Sequence, residues 1–245
     1  MISTSKLFVF FLLAIISGGI KASESIYPMQ EADVDISDLE SVRKGARYYV
    51  EYCVGCHSIR HLRYSRISSD LKVDEQSMKG IMVEGGKLHD SLLSSLDGED
   101  AIRWFGVSPP DLSLIARARG ADWLFNYLKG FYVDASRSGG VNNVVYKDVG
   151  MPNVFWELQG LQKPVLSKTE GGGEAITSLI RESQGKMSPQ EFDQVLNDLI
   201  SFLVYAAEPA RYERIVIGKY VIFGLVVLIF VFYRLKKEYW KDIEP

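Results

Sequence analysis

Residues 51–60 read EYCVGCHSIR and hold both cysteines of the chain, Cys53 and Cys56, next to His57, one of three histidines. Two thiols and an imidazole in one Cys-x-x-Cys-His leave few options: a thiol redox pair, part of a zinc site, or covalent attachment of haem. Each demands a different fold around it. A thioredoxin-type pair needs strand–helix alternation, but SDLESVRKGARYYVEYCVGCHSIR reads as one helix over 38–58. In that run Ser37 and Glu40 have capping-box spacing, and Leu39, Val42, Ala46, Val50, Cys53 and His57 recur at helical steps. Structural zinc wants four well-spaced ligands; the other histidines, His61 and His89, supply no finger or ribbon spacing and read as surface or hydrogen-bonded residues. Haem c accounts for all three residues, with Cys53 and Cys56 as thioether links and His57 as proximal iron ligand. One such motif implies one covalently attached haem.

The ends of the chain give its address. MISTSKLFVFFLLAIISGGIKAS has a short region with Lys6, an apolar run from Leu7 and small residues to Ala22, the layout of a bacterial export signal over 1–22. A retained N-terminal anchor is the alternative. IVIGKYVIFGLVVLIFVFY, residues 215–233, spans roughly 28 Å as a helix, enough for a bilayer core. The basic tail beyond it places the C-terminus in the cytoplasm by the positive-inside rule, and residues 23–214 in the periplasm. That extramembrane part carries 21 Lys+Arg against 28 Asp+Glu, a net of −7, which disfavours nucleic acid and suits a basic protein partner. EADVDISDLE (31–40) and DGED (97–100) are candidate steering patches or simply solvated faces.

A haem c used for electron transfer commonly takes a Met as second axial ligand. Met29 precedes the haem helix, and Met78 and Met82 read as core residues of a helix. Met151, between Gly150 and Pro152 in KDVGMPNVFWELQG, is biased to extended backbone that could cross a haem face. Met187 stands directly before a helix start, with Ser188 as N-cap, Pro189 at the first position and Glu191 completing a capping box; there it reads as a hydrophobic staple on Val195 or Phe192. Local chemistry favours Met151, with Met187 as the other candidate.

RKGARYYVEYCVGCHSIRHLRY, SPPDLSLIARARG, GMPNVFWELQG and FLVYAAEPARYERI before a single C-terminal span occur in that order, and together they resemble the cytochrome c1 family over roughly residues 37–240. The match is loose between 64 and 100. This resemblance implies the haem c subunit of the cytochrome bc1 complex, the quinol–cytochrome c oxidoreductase. It implies His57 and Met151 as iron ligands, Pro109 and Pro110 at the haem edge, and Arg119 on a propionate. Trp123 stands where the family often has a propionate-binding Tyr, and Ser108 where Asn is common. It further implies electron delivery by a Rieske iron–sulfur subunit, release to a soluble or tethered cytochrome c, a cytochrome b neighbour and a dimeric complex. A membrane-tethered electron shuttle outside any such complex, or a haem sensor or peroxidase with a displaceable distal ligand, are the rival functions.

The expected fold is mainly α: a class I c-type cytochrome domain with insertions over 23–211, an anchor helix over 212–238 and a tail over 239–245. Helices are expected at 38–58, about 70–84, 112–118, 122–129, 188–207 and 212–238. The Gly-rich stretch 167–186 is expected as a loop with a short helix at Glu174–Glu182, and any strand around NNVVYKD as minor.

Overall fold

The computed structural model describes residues 27–168 and 173–241. The export signal expected over 1–22 and the final tail residues, 242–245, lie outside these. Helix α1 covers Leu39–Tyr52. Its N-cap is Asp38, whose carboxylate accepts from the amides of Glu40 and Ser41, not the expected Ser37, which bonds locally to Asp35. The acidic stretch 31–40 thus spends two of its carboxylates on local backbone donors. The helix also ends earlier than the expected 38–58. Cys53 is its C-cap, Val54 donates back to the Tyr49 carbonyl, and Cys56 and His57 both donate to the Cys53 carbonyl. That tight turn carries the last residues of CVGCH off the helix axis.

Strand β1 (Ile59–Arg63) runs into α2 (Tyr64–Asp70), followed by the short α3 (Glu75–Met78) and by β2 (Ser91–Leu92), which pairs antiparallel with β1. The single helix expected at 70–84 is therefore two short ones that bracket a break. Lys72 sits in the left-handed region with φ of 51°, and Asp74 restarts the chain as an N-cap bonded to the Ser77 amide. Such backbone cannot continue a right-handed helix. Helix α4 (Gly98–Phe105) was not anticipated; Asp97 caps it and Gly106 ends it at φ 76°, the conformation that glycine adopts most readily.

Helices α5 (Ile115–Arg119) and α6 (Ala121–Lys129) turn sharply on each other at Gly120. Strands β3 (Phe131–Val133) and β4 (Val141–Asn143) form a small antiparallel pair, and α7 (Trp156–Gln159) is a single turn. Then β5 (Gln162–Lys168) pairs antiparallel with β6 (Glu174–Arg181), from Gln162↔Arg181 to Lys168↔Glu174, with a register shift between Val165 and Leu166. The helix expected at Glu174–Glu182 is thus a strand. Ile176, Thr177 and Ile180 are β-branched and favour the pleat once a partner is in reach. The partner is held in place by Gln162, whose side-chain amide donates to the Lys129 and Phe131 carbonyls at 2.9 Å each.

Helix α8 (Pro189–Ala207) opens with the expected capping box between Ser188 and Glu191. It buries Phe192, Leu196, Leu199, Ile200, Phe202 and Leu203 and packs mainly across α1, with α5 and α6 on its flank. Where α1 and α8 cross, Gly45 faces the Asp198 backbone, and the buried Asp198 carboxylate accepts from Ser41 Oγ at 2.6 Å and Gln194 at 3.0 Å. The Tyr49 and Phe202 rings meet beside the crossing at 5.6 Å. Helix α9 (Arg211–Tyr239) follows after three residues. Its Glu213–Tyr239 stretch is long and apolar enough to cross a membrane, and none of its most apolar window is buried in the protein.

Candidate functional site

The turn after α1, the loop before α5, helix α6 and the 148–154 loop enclose a cavity of about 400 Å³ floored by Leu199 and Leu203 of α8. Cys53, Cys56, His57, Pro109, Pro110, Arg119, Trp123 and Met151 all line it. The structure therefore brings every candidate site residue to one place, although they span about a hundred positions of sequence. Met187 is elsewhere: its amide donates to the Leu158 carbonyl, its side chain packs against the core, and the cavity lining does not include it.

His57 is fixed from two sides. Its carbonyl accepts the hydroxyl of buried Tyr49 at 2.6 Å, and its Nδ1 lies 2.8 Å from the Pro110 carbonyl oxygen. A carbonyl only accepts, so Nδ1 carries the proton and Nε2 keeps its lone pair. Burial lowers the His57 pKa from its ordinary value; the Pro110 hydrogen bond and nearby Asp111 oppose this and do not outweigh it. The ring is a neutral, oriented donor of the kind a metal requires. Pro110 is itself held by its neighbour, since Asp111 accepts from the Ser113 and Arg60 amides at 2.8 and 3.1 Å. Both cysteines are free; Cys53 is buried and Cys56 exposed. Burial pushes the Cys53 thiol up to about 12, so it is a neutral thiol, unlike the lowered thiol of a redox pair.

Part of the lining is a column of aromatic rings. Arg119 lies over the Trp123 ring, 4.9 Å from its centroid. Trp123 stacks on Tyr127 at 4.9 Å with 10° between planes, and Tyr127 meets Phe131 edge-on at 5.5 Å. The Tyr127 hydroxyl donates to Met151 Sδ at 3.5 Å. Tyr127 was missed in the sequence, yet its signal is there: Arg119, Trp123 and Tyr127 follow at four-residue spacing. Phe105 and Val107 also line the cavity and carried no such signal. Gly150 lets them close in, because a Cβ there would stand 2.7 Å from Val107 Cγ2.

A covalently held planar macrocycle fits these residues: two free thiols and an oriented imidazole stand on one side, a thioether stands elsewhere in the lining, and apolar side chains lie between. Its size falls in the range of cofactor pockets, roughly 300–1,000 Å³. Among the described residues no three His, Cys, Asp or Glu side chains converge as a metal-binding group.

Comparison with known proteins points the same way. The model of the Cytochrome C1 family matches residues 30–243. A protein of Allochromatium vinosum named cytochrome c1 is 43% identical over 218 residues, covering 88% of this chain and 89% of its own length. A Nitrosomonas europaea protein named ammonia monooxygenase gamma subunit is 38% identical over 248 residues, covering 97% and 99%. A mitochondrial cytochrome c1 haem protein of Neurospora crassa is 28% identical over 222 residues, covering 83% and 62%.

Proposed function

The chain belongs to the cytochrome c1 family, and from that premise we propose that it is the haem c subunit of a cytochrome bc1 complex. In this reading it accepts an electron from the Rieske iron–sulfur subunit and passes it to a soluble or tethered cytochrome c. It does so beside a cytochrome b subunit in a dimeric quinol–cytochrome c oxidoreductase. The carrying observation is the meeting of Cys53, Cys56, His57 and Met151 in one apolar cavity, with His57 Nδ1 tied to the Pro110 carbonyl at 2.8 Å.

A haem bound here supplies a one-electron iron couple. Cys53 and Cys56 would hold it by thioether bonds, and His57 and Met151 would be its protein ligands, as in a class I c-type cytochrome. With two protein ligands the iron would have no position open to a substrate, which favours electron transfer over peroxidase or sensor chemistry. Leu199 and Leu203 keep water from the buried face. Pro109 and Pro110 would line its edge, Arg119 would pair with a propionate as a guanidinium fork does with a carboxylate, and Trp123 would offer its one N–H. His57 and Met151 are each hydrogen-bonded within the cavity, by the Pro110 carbonyl and by the Tyr127 hydroxyl, which limits their movement. Helix α4 supports docking of a partner beside the cavity: Phe105 lines it, Ile102 and Trp104 are exposed, and Glu99 in the first turn adds negative charge, while Asp100 is paired with Arg103.

The domain boundaries proposed are an export signal at 1–22, a periplasmic haem domain at 23–211, an inner-membrane anchor at 212–238 and a cytoplasmic tail at 239–245. The test is to solubilise membranes in mild detergent, capture this chain and record the reduced-minus-oxidised spectrum of what accompanies it. Haem c and haem b bands, an iron–sulfur signal and quinol-dependent cytochrome c reduction establish the reading. A c-type band alone, even after milder extraction, assigns a tethered shuttle. Capture with an ammonia-oxidising enzyme instead would move the chain to the assembly that the Nitrosomonas relative's name denotes.

A further inference from the structure

We propose that Tyr127 is a positioning residue for the Met151 sulfur, holding it by a hydrogen bond and raising the reduction potential of the centre. The inference rests on the reading of Met151 as an axial ligand, and it adds a residue that the family motifs above do not include. The Tyr127 hydroxyl lies 3.5 Å from Met151 Sδ. Its ring has little freedom to turn, being stacked on Trp123 at 10° and met edge-on by Phe131. Its backbone carbonyl accepts from Asn143 Nδ2 at 2.7 Å, which ties α6 to β4. The phenol is thus aimed by packing and not by the hydrogen bond alone.

The consequence follows from the sulfur's two lone pairs. One can be given to a metal while the other accepts the phenol proton. That acceptance withdraws electron density, so the thioether becomes a weaker donor. A weaker donor stabilises ferric iron less than it does ferrous iron, because the ferric state draws more on its ligands. The couple shifts towards reduction, by an outer-sphere contact on a ligand of the type known to tune metal sites. Because Arg119, Trp123 and Tyr127 stack in sequence, the same column that reaches the propionate position ends on the axial sulfur.

The test compares full-length wild type with Tyr127→Phe and Tyr127→Leu, each captured with its partners from membranes. Redox titration gives the midpoint potential, and the ferric sulfur-to-iron charge-transfer band reports the ligand. Tyr127→Phe keeps the stacked ring and removes only the hydroxyl. It is expected to lower the ferrous-to-ferric ratio at a fixed solution potential about tenfold, a fall of about 59 mV for one electron. The charge-transfer band should shift but persist. Tyr127→Leu lacks the hydroxyl too and should show at least the same fall, so the measurement survives if one variant fails to accumulate. Unchanged potential and an unshifted band in a hydroxyl-free variant overturn the proposal. Met151→Leu separates the two levels: a low-spin spectrum and band that survive it remove Met151 as ligand, and with it both the ligand assignment and this inference. Loss of the band in Met151→Leu with no change in Tyr127→Phe removes the Tyr127 role alone.

Discussion

The Cβ that Gly45 lacks would stand 1.9 Å from the carbonyl oxygen of Asp198 and 2.8 Å from Phe202 Cβ, so α1 and α8 cross backbone to backbone. The helix that leads into Cys53 is thereby pressed against the helix that floors the cavity. Gly45→Ala cannot be absorbed by a flexible side chain, because the obstacle is main chain. The variant should lose at least about 3 kcal/mol, the upper end of overpacking costs, and chemical denaturation of purified protein reads it.

Ser188 and Glu191 close α8 with a reciprocal pair of hydrogen bonds. Ser188→Ala should cost about 1 kcal/mol near neutral pH. Backbone and side-chain hydrogen bonds from Ser188 hold the Glu191 carboxyl below its usual range. A depressed folded pKa contributes stability above the unfolded value of about 4.3, and that contribution disappears as pH falls through the lower folded value. The difference between wild type and Ser188→Ala should therefore narrow in acid, and unfolding curves taken from pH 7 to 3 would show it.

Asp111 holds the Pro110 carbonyl where His57 needs it. Asp111→Ala removes acceptors from the Ser113 and Arg60 amides and should destabilise by roughly 1–3 kcal/mol through unsatisfied donors. Its more telling effect is on haem: His57 loses its orienting carbonyl, so the low-spin fraction drops at constant haem content. Absorption and electron paramagnetic resonance spectra measure both.

Arg119→Gln removes a guanidinium from the cavity rim and from the face of Trp123. A nearby positive charge favours the reduced centre, so the midpoint potential should fall, and more so at low ionic strength, where screening is weak. Trp123→Phe keeps the stack on Tyr127 and should change the potential less. A titration series at two salt concentrations distinguishes the two effects.

A chain ending at Ala210 should fold and stay in solution without detergent, since the apolar stretch of α9 is exposed along its length. Sedimentation of the truncated protein, together with its helical circular dichroism, checks this.

The parts that were legible in the sequence share one property: their signal is local. Ser188-Pro189 with Glu191 announces α8, and its long apolar face follows. The apolar run at 215–233 announces α9 in the same local way. The parts that were not legible depend on partners far away in the chain. Residues 174–181 could be helical alone and become a strand only because 162–168 pair with them, steadied by Gln162 on the Lys129 and Phe131 carbonyls. Lys72 gives no sequence warning of its left-handed backbone. Nothing in the sequence marks the meeting of the Tyr127 hydroxyl with the Met151 sulfur, which depends on the fold.

Only Glu208, Pro209 and Ala210 separate α8 from the helix that leaves for the membrane, and Glu208 pairs with Arg117 on one side and Arg214 on the other. Three residues reach about 10 Å even fully stretched, and the ion pairs shorten that leash further. With α9 in a bilayer, the cavity stays at a nearly constant height above the lipid surface, like a lamp on a short post. In the proposed function, a carrier that reaches it must do the travelling itself, and the relay is paced by the mobility of its neighbours.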